Sequence, residues 1–491
     1  MKHEIRILSN TLLTAGILFP INMIAGQQPK PNVVILIADD ISMSDFGCYG
    51  HPTIKTPNID ALASDGIRFT NTFLMASSSS PSRASIITGR YPHNTGACEL
   101  HSPMGEEQVF LPKVLKDAGY YTAQAGKWHF GSAKLGGPGT SAFDRTGGSE
   151  NDGGGKSGAE KFVPYLKERP TDKPFFMWFA AHDAHREWDD EIFLKKYEQN
   201  NVIVEPYFVN DSLTREDFAS YYNEVSRFDF YVGKVVNELK AQGVYNSTLI
   251  IVMADNGRPF AHSKTRLIES GIKTPFIIHY PKLINKTGQV CKSLLSVIDI
   301  APTIAEITGV KSSPTFQGKS FANLLKNPNT SFRNYVFAEH NWHDFEAYER
   351  MVSTEKYLLI ENKRPNLDAQ GSQDVMTGGS GVSLRKGYKD DKLNSLQKDI
   401  FVTPRSSIEL YDRNNDPENV TNIAATQPEK VKELQAILHK WKEETGDTEP
   451  TNLTPDWYSR QTMDKLPTSK KRGEMPGKSK SATLINNPGQ F

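Results

Sequence analysis

The stretch 31–40 reads Pro31-Asn-Val-Val-Ile-Leu-Ile-Ala-Asp39-Asp40, an unbroken apolar segment that ends in two acids. A strand that is apolar on both faces is typical of the centre of a parallel sheet covered by helices on each side. In such sheets, ligands bind at the carboxyl ends of the strands. The stretch therefore predicts an α/β fold, with Asp39 and Asp40 at the edge of the sheet where a ligand would bind.

The same pattern recurs along the first two thirds of the chain. Strands are predicted at 67–73, 121–125, 174–181, 248–254 and 274–280, and helices at 58–66, 111–118 and 213–242. This alternation continues to about Lys326 and predicts a large, mixed but mostly parallel sheet sandwiched by helices. The interval 136–158 is rich in Gly, Ser and Asp and has no periodicity, so we expect a long loop over the site.

The pattern changes at about residue 331. Short strands at 336–339, 351–353, 357–361 and 408–411, with an amphipathic helix at 428–444, indicate a smaller α+β domain that contains an antiparallel sheet and a helix. We predict a catalytic domain over 27–330 and a C-terminal subdomain over 331–450. The segment 451–491 is polar, with basic residues among Pro and Gly, and we predict a mobile tail there.

The first residues have the pattern of an export signal. Two basic residues precede a mostly apolar stretch, 7–24, and the small residues Ala25 and Gly26 follow it. Polar residues and a proline interrupt the stretch, which argues against stable insertion into a membrane. We therefore expect residues 1–26 to be a cleaved signal peptide and the mature protein to be periplasmic or secreted.

The composition limits the partners that the protein can have. The 57 basic residues balance 57 acidic residues, so the net charge of zero gives no argument for nucleic-acid binding. Cys48, Cys98 and Cys291 are an odd number at wide spacing, which excludes a disulfide framework and a metal site but leaves a single bridge possible. We predict free thiols and no nucleic-acid partner.

Four of the predicted strands end in side chains that can bind a metal ion or transfer a proton. These are Asp39 and Asp40, Lys127 and His129, His182 and His185, and Asp255 and Asn256. If the strands are parallel, all four ends lie along one edge of the sheet. The Asp and Asn members offer only oxygen ligands, which suit Ca²⁺; zinc is less suited because the acidic set contains no His or Cys.

A further element of the site is the run 79–90, Ser-Ser-Pro-Ser-Arg-Ala-Ser-Ile-Ile-Thr-Gly-Arg. A Ser/Pro cluster that passes into an apolar segment predicts a loop leading into the first turn of a helix. The backbone N–H groups of a helix N-terminus attract anions, and Arg83 adds a guanidinium suited to a sulfate or phosphate oxyanion. Ser79 would then lie where an anionic group is held.

The run Ser79-x-Pro81-Ser82-Arg83, followed by Thr88-Gly89-Arg90, resembles the signature of the type I sulfatases, Cys/Ser-x-Pro-Ser/Ala-Arg with a downstream Thr-Gly. The resemblance implies an alkaline-phosphatase-like fold. It also implies that Ser79 is oxidised after synthesis to formylglycine (3-oxoalanine), whose hydrated aldehyde is the nucleophile. Because the residue is a serine, maturation by a radical enzyme of the serine type is expected.

The resemblance also assigns roles to the residues at the strand ends. It implies one Ca²⁺ ion bound by Asp39, Asp40, Asp255, Asn256 and the formylglycine at position 79. Attack of the hydrate on sulfur would expel the substrate alcohol or amine, protonated by His185, while Lys264 binds a sulfate oxygen. The second hydroxyl would then expel sulfate with His129 as base, and Lys127 and Arg83 would hold the aldehyde oxygens.

Within the family, the chain resembles the heparan N-sulfatase branch and related bacterial polysaccharide sulfatases most. The shared motifs include Leu100-His101, His182-Asp183 with His185-Arg186, and Glu339-His340 with His343. His101, His340, His343 and Arg350 are candidate substrate contacts, and each can also be a structural residue. The segments 136–158 and 364–399 have no counterpart, so the identity of the substrate does not follow from the resemblance.

We predict an exported bacterial sulfatase that acts on a sulfated oligo- or polysaccharide during polysaccharide degradation. Heparan-type sulfate and algal ulvan- or carrageenan-type sulfate esters remain open as substrates. Two alternatives also remain at this stage. One is a phosphate-ester or phosphonate hydrolase of the same superfamily, and the other is a non-catalytic glycan-binding protein in which Ser79 stays unmodified.

Overall fold

The computed structural model describes Met1 and residues 30–131, 137, 139–148, 157–189, 192, 194 and 196–491. Nearly all of the predicted signal peptide, 1–26, lies outside the described residues, as does part of the predicted loop at 136–158. Among the described residues, no helix combines the length and the apolar composition that crossing a membrane requires.

The strands of the described residues follow the predicted order closely. They are β1 (Asn32–Ala38), β2 (Ile67–Phe69), β3 (Thr72–Phe73), β4 (Tyr121–Gly126), β5 (Arg145–Gly147), β6 (Phe175–Ala180), β7 (Thr248–Ala254), β8 (Phe276–His279), β9 (Gln289–Cys291), β10 (Leu295–Ser296), β11 (Val336–His340), β12 (Glu349–Ser353), β13 (Tyr357–Asn362) and β14 (Ile408–Asp412). Two differences matter. The strand predicted at 67–73 is divided between β2 and β3, which belong to different sheets, and the predicted loop at 136–158 contains the edge strand β5.

The α-helices of the described residues are α1 (Pro57–Asp65), α2 (Ser79–Thr88), α3 (Pro92–Thr95), α4 (Leu111–Asp117), α5 (Phe162–Glu168), α6 (Ser212–Ala241), α7 (Glu269–Ile272), α8 (Ile300–Thr308), α9 (Ala322–Lys326), α10 (Gln373–Thr377), α11 (Gly379–Lys389), α12 (Ser395–Lys398) and α13 (Pro428–Thr445). The long helix α6 follows Asp211, whose side chain accepts a hydrogen bond from the Thr214 backbone N–H and so caps the first turn.

The large sheet has the order β5-β4-β6-β1-β7-β8-β2-β9. Its central strands β4, β6, β1 and β7 are parallel neighbours, and β8 runs antiparallel to both β7 and β2. Side chains of β1 alternate between two hydrophobic cores, with Val33, Ile35 and Ile37 in one and Val34, Leu36 and Ala38 in the other. The first core also contains residues of α2, α4 and α8, and the second contains residues of α1, α5 and α6. The predicted sheet sandwiched by helices is confirmed.

The C-terminal strands form a separate antiparallel sheet of order β11-β12-β13-β14. The helix α13 buries Leu434, Leu438 and Trp441 on one face, as its amphipathic pattern predicts. The Trp441 ring stacks on Phe337 of β11 with 4.9 Å between ring centroids. Both residues belong to the hydrophobic core that packs on the large sheet, so residues 31–491 form one compact unit.

The structure corrects the prediction of a mobile tail at 451–491. Within this segment, Thr454, Met463 and Ala482 are buried. The buried Arg90 guanidinium donates hydrogen bonds to the backbone carbonyls of Thr483 and Ile485. Hydrogen bonds to a buried cationic side chain therefore hold the backbone of this polar segment in place. Amino-acid composition alone cannot distinguish a segment held in this way from a solvated tail.

We expect Arg90→Ala to lower the free energy of unfolding by about 2–4 kcal/mol, because charged donors to otherwise unpaired carbonyls contribute about 1.5–3 kcal/mol each and are not fully additive. Urea unfolding of the purified protein measures this difference. The exposed Lys311→Ala variant serves as a control that should stay within about 0.5 kcal/mol of the parent protein. Equal stability of Arg90→Ala and Lys311→Ala would contradict the role given to Arg90.

Candidate active site

The four predicted strand ends lie side by side. Because β4, β6, β1 and β7 are adjacent and parallel, the residues that follow them share one edge of the sheet. Asp39 follows β1, Lys127 follows β4 and Asp255 follows β7 directly, while His182 follows β6 after one further residue. This edge is the candidate active site, and the sequence prediction of a shared edge is confirmed.

Three buried carboxylates face one another at this edge. Asp39, Asp40 and Asp255 are each 0% exposed, and one oxygen from each lies within 4.8 Å of the others. The Asp40 backbone N–H donates to Asp255 Oδ1 over 3.2 Å, and the Asn256 side-chain amide donates to Asp40 Oδ1 over 2.5 Å. The predicted oxygen-donor set is therefore brought together in one place.

Ser79 is the first residue of α2 and points into this carboxylate cluster. Its Oγ lies 3.1 Å from Asp39 Oδ1 and 2.9 Å from Asn256 Oδ1. The preceding Ser78 is in the extended conformation that a helix N-cap adopts. The loop that leads into a helical turn is thus confirmed, and Ser79 combines a helix N-terminus with a set of acidic oxygens.

Each carboxylate of the cluster has a cationic partner. Arg83 Nε lies 2.7 Å from Asp255 Oδ2, Lys127 Nζ lies 2.5 Å from Asp39 Oδ2, and Lys264 Nζ lies 2.8 Å from Asp40 Oδ2. Lys127 Nζ also lies 3.3 Å from Ser79 Oγ, where it can stabilise negative charge on an oxygen at position 79. The predicted residues Arg83, Lys127 and Lys264 are all in the site.

The donor set fits a hard divalent cation. Burial of Asp255, reinforced by the nearby negative charges of Asp39 and Asp40, raises its pKa to about 6 although Arg83 opposes the shift. By contrast, Lys127, His185 and Arg83 outweigh burial and hold the pKa of Asp39 well below its ordinary value. A bound cation would offset the repulsion among the three carboxylates, and oxygen donors alone suit Ca²⁺ or Mg²⁺.

His129 and His101 form a stacked pair beside this cluster. His129 Nε2 lies 2.8 Å from His101 Nδ1, and the ring centroids are 4.7 Å apart. Burial, together with the charges of Lys127 and His101, holds the pKa of His129 well below its ordinary value, so its ring is neutral at pH 7. His101 is exposed, and its backbone N–H donates to Ser80 Oγ, which places it at the opening of the site.

His185 lies in a group with Asp40 and Asp374, so it also borders the cluster. Its Nδ1 hydrogen-bonds the Arg186 carbonyl, which can only accept, so Nδ1 carries the hydrogen. Its Nε2 lies 3.8 Å from Asp374 Oδ2. The loop that carries His185 is fixed by Asp183, which accepts two hydrogen bonds from Arg227 of α6.

Asp374 is a site residue that the sequence analysis missed. It lies in the first turn of α10, and its Oδ2 is 2.8 Å from Lys264 Nζ. Lys264 and His185 outweigh burial and hold its pKa well below the ordinary value, so Asp374 is ionised. Acidic residues are common in the first turn of helices because they interact favourably with the helix dipole, so nothing in the sequence marked Asp374 as a site residue.

The four candidate substrate contacts have different outcomes. His343 Nδ1 lies 2.8 Å from Ser78 Oγ, one residue from Ser79, and His340 lines a small cavity together with His343. Arg350 is 1% exposed, and its guanidinium is held by Asp447 at 2.6 and 2.8 Å. Arg350 therefore anchors β12 to the end of α13, which indicates a structural role.

Three residues of the site have a backbone conformation that is uncommon outside glycine. Asp40, His101 and His129 have φ values of 52°, 60° and 47°. Such residues are held in place by their surroundings at a cost of about 1–3 kcal/mol each, and they concentrate at functional sites. Their grouping around Ser79 is an independent indication that this edge of the sheet is functional.

Comparisons with known proteins bear on the family of this chain. The family model described as Sulfatase matches residues 31–310, and the model of the N-sulphoglucosamine sulphohydrolase C-terminal region matches residues 260–369. Human N-sulphoglucosamine sulphohydrolase is 31% identical over 469 residues, which cover 87% of this chain and 92% of that protein. An ulvan-active sulfatase of Formosa agariphila is 29% identical over 444 residues, which cover 86% of this chain and 82% of that protein.

Solved structures share the fold. One, described as a complex with D-glucosamine-2-N,6-O-disulfate, has a TM-score of 0.65 at 21% identity and covers 84% of this chain and 98% of its own. Another, described as a complex with neocarrahexaose, has a TM-score of 0.64 at 20% identity, with coverage of 90% and 96%. These similarities confirm the predicted alkaline-phosphatase-like architecture. Because the family match spans more than half of the chain and includes every strand that carries the carboxylate cluster, the chain belongs to the sulfatase family.

Proposed function

We propose that this sulfatase removes sulfate groups from a sulfated oligo- or polysaccharide, with residue 79 as the nucleophile after oxidation of the serine to formylglycine. The observation that carries the proposal is the position of Ser79 Oγ, between Asp39 and Asn256 and 3.3 Å from Lys127 Nζ. The chemistry named for similar proteins supports the substrate class, since relatives act on a sulphoglucosamine and on ulvan.

The residues that would hold the metal ion are Asp39, Asp40, Asp255 and Asn256, together with the side chain at position 79. When bound, Ca²⁺ would attract sulfate oxygens and make the sulfur more electrophilic. The protein's own contribution is a buried set of oxygen donors held at fixed positions by Arg83, Lys127 and Lys264. Removal of the metal ion should therefore stop the reaction while leaving the sheet intact.

The sulfate group would be bound by positive charge from three directions. Lys264 is 1% exposed and lies beside Asp40, so its ammonium can contact a sulfate oxygen next to the carboxylate cluster. Backbone N–H groups at the start of α2 face the same place. Arg83, which is fully buried, adds a fixed cation one helical turn further along.

Two histidines of the site would move protons, and each has different partners. His185 Nε2 lies 3.8 Å from Asp374 Oδ2, so this carboxylate can hold the ring in position to give a proton to the leaving oxygen or nitrogen. His129 is buried beside Lys127 and is neutral, so its ring can accept a proton from the hydroxyl at position 79. The separate electrostatic surroundings of the two rings fit an acid and a base in one site.

Export and maturation complete the proposal. The basic and apolar pattern of residues 1–26 supports secretion to the periplasm or the exterior. Serine at position 79 supports maturation by a serine-type radical enzyme, so the protein should be produced with such an enzyme before it is assayed. The prediction is that protein made without it has an unmodified Ser79 and no sulfatase activity.

We expect Asp374→Asn to lower kcat/KM on a sulfated saccharide by about 10–100-fold, because the neutral amide holds the proton donor His185 less firmly than the carboxylate does. The decrease should be several times smaller on 4-nitrophenyl sulfate, whose leaving group does not need a proton. Steady-state kinetics on both substrates measure this ratio, with the exposed Asp390→Asn as the control variant. An equal decrease in kcat/KM on both substrates would mean that Asp374 does not contribute to protonation of the leaving group.

The proposed function is tested by incubating matured enzyme with a panel of defined sulfated saccharides and with matched phosphate esters. Heparan-type N- and O-sulfates and ulvan- or carrageenan-type oligosaccharides belong in the panel. Release of sulfate from at least one saccharide, at a rate far above phosphate release, is the expected result. Faster hydrolysis of the phosphate esters would overturn the proposal in favour of a phosphate-ester or phosphonate hydrolase, and binding without hydrolysis would favour a glycan-binding protein.

A further inference from the structure

A groove lies beside the candidate active site, and most of the residues that line it lie outside both family matches. The family matches end at residues 310 and 369, whereas the groove is formed mainly by α11 and by residues 366–370, 401–403 and 460–462. Its volume is about 1070 Å³, which exceeds that of the small cavity beside His343 many times over. The two family matches therefore do not by themselves assign a role to most of the groove.

The groove is lined with positive charge. Arg385, Lys386, Lys389 and Arg460 are its basic residues, and Asp368 is its one acidic residue among those described. Asp368 is already paired with Arg460, at 2.9 Å. The side chains of Lys386 and Lys389 are exposed, and neither ammonium forms a hydrogen bond or an ion pair with a described residue. The groove therefore offers cations to an anionic partner without breaking ion pairs of its own.

An aromatic surface lies between these cations. The Tyr388 ring stacks on Phe401, with 4.3 Å between ring centroids and an angle of 15° between the ring planes. Tyr388 is nevertheless 49% exposed, and Val382, also in the groove, is 38% exposed. A ring that is packed on one face and open on the other can stack against the C–H face of a sugar, and its stacking partner already fixes its orientation.

The groove continues from the active site. Asp368, Gln370 and Arg460 line both the groove and the small cavity that His343 lines, and His343 bonds to Ser78, next to Ser79. At its other end, α11 follows α10, which carries Asp374 beside Lys264. With a rise of about 1.5 Å per residue, Lys389 lies about 15 Å along α11 from the end that follows Asp374, so the groove extends away from that end of the helix.

We propose that this groove binds the anionic sugar units of a polysaccharide chain beyond the unit that is desulfated. This inference rests on the proposed function, and it narrows the substrate to a polymer or a long oligosaccharide with sulfate or carboxylate groups spaced along it. The basic side chains favour binding of an anionic chain, and the exposed face of Tyr388 favours a chain made of sugar units over a polymer that offers charge alone. The sequence alone left the length of the substrate open.

A binding experiment tests the groove independently of catalysis. Wild-type protein and the double variant Lys386→Ala/Lys389→Ala are compared on immobilised heparin and on double-stranded DNA, at several salt concentrations. The control is Lys311→Ala/Lys432→Ala, which removes the same charge from exposed residues outside the groove. We expect the groove variant to bind heparin about tenfold more weakly than the control at low salt, with a smaller difference at high salt because exposed charges are screened.

The same binding experiment with Tyr388→Ala tests the aromatic part of the groove. Tyr388→Ala should weaken heparin binding severalfold at every salt concentration and change DNA binding little, since it removes a sugar contact and no charge. Equal heparin binding by the groove variant and the control would overturn the proposal. The proposal would also be overturned if the wild-type protein bound DNA as tightly as heparin, the lysine variant lost both to the same extent, and Tyr388→Ala changed neither. The groove would then be a general surface for polyanions.

Steady-state kinetics then distinguish an error in the groove proposal from an error in the proposed function. On a sulfated polysaccharide that the matured enzyme hydrolyses, the lysine variant should raise KM about tenfold relative to the control variant, with little change in kcat. An unchanged KM would overturn the groove while the sulfatase activity stands. If matured wild-type protein releases no sulfate from any saccharide, the proposed function fails, and the heparin-binding result alone then decides whether the groove binds a glycan.

Discussion

Replacement of Ser79 by alanine abolishes sulfate release from every substrate that the matured protein hydrolyses. We expect a decrease in kcat of at least about 10⁴-fold, the range that removal of an enzyme nucleophile produces. The side chain at position 79 lies against the carboxylate cluster of the site, with Oγ 3.1 Å from Asp39 and 2.9 Å from Asn256. On the proposed mechanism, its loss would remove both the nucleophile and one oxygen donor to the metal ion.

The matched control is Ser85→Ala on the same helix. Ser85 is buried in α2, and its Oγ makes no hydrogen bond to a described residue, so its removal should leave both activity and stability close to those of the parent protein. Stability of Ser79→Ala should also be retained, because an alanine is well tolerated in a first helical turn. Activity of Ser79→Ala within tenfold of Ser85→Ala would show that residue 79 is not the nucleophile.

Replacement of Asp255 by asparagine is expected to lower kcat/KM by about 1000-fold or more, because a neutral amide binds Ca²⁺ far more weakly than a carboxylate does. The variant keeps the shape of the side chain and an acceptor for Arg83, which lies 2.7 Å from Asp255 Oδ2. The more severe change, Asp255→Ala, should abolish turnover. Calcium titration followed by calorimetry should show a loss of affinity that parallels the loss of activity.

Without calcium, Asp255→Asn should increase the free energy of unfolding relative to the parent protein, although it lowers activity. In the calcium-free protein the pKa of Asp255 is raised to about 6, so the folded protein loses stability as the pH rises from about 4 through 6. Asp255→Asn removes this penalty, which approaches about 3 kcal/mol above pH 6 for a shift of two pKa units. At pH 7.5 without calcium, the variant should therefore be at least as stable as the parent protein, and the difference should vanish below pH 4.

Calcium should reverse this order, since a ligand that binds only the folded state stabilises the parent protein more than the variant. Thermal unfolding at pH 7.5, with and without calcium, measures both effects. Asp65→Asn, an exposed change on α1, is the control and should respond to calcium as the parent protein does. A calcium response of Asp255→Asn equal to that of the control would contradict the placement of a metal ion at these carboxylates.

The core of the fold and the site were predictable because they rest on short-range patterns. The strand β7 (Thr248–Ala254) matches its predicted bounds, and β1 is buried throughout, as its unbroken apolar run indicated. Parallel strands bring their carboxyl ends to one edge, so the sequence alone sufficed to place Asp39 and Asp255 together. Ser79 could be placed by the change from a turn-forming cluster to a helical segment.

The features that the sequence did not reveal depend on packing between distant segments. Arg350 lies in β12, where side chains alternate between faces, and the sequence does not show which face turns towards Ser79. Asp374 reaches Lys264 across 110 residues of sequence, through helices that no motif predicted. Residues 451–491 are held by Arg90 through hydrogen bonds to backbone carbonyls, and a carbonyl acceptor leaves no signature in the sequence.

Mass spectrometry of the tryptic peptide 69–83, taken from protein matured in a cell that has a serine-type radical maturation enzyme, tests the central claim most directly. Conversion of the Ser79 side chain to an aldehyde removes two hydrogen atoms, so the peptide should be about 2 Da lighter than its sequence predicts. Fragmentation should place the difference at residue 79. A peptide of unchanged mass, from a preparation that releases sulfate from a saccharide, would contradict the account.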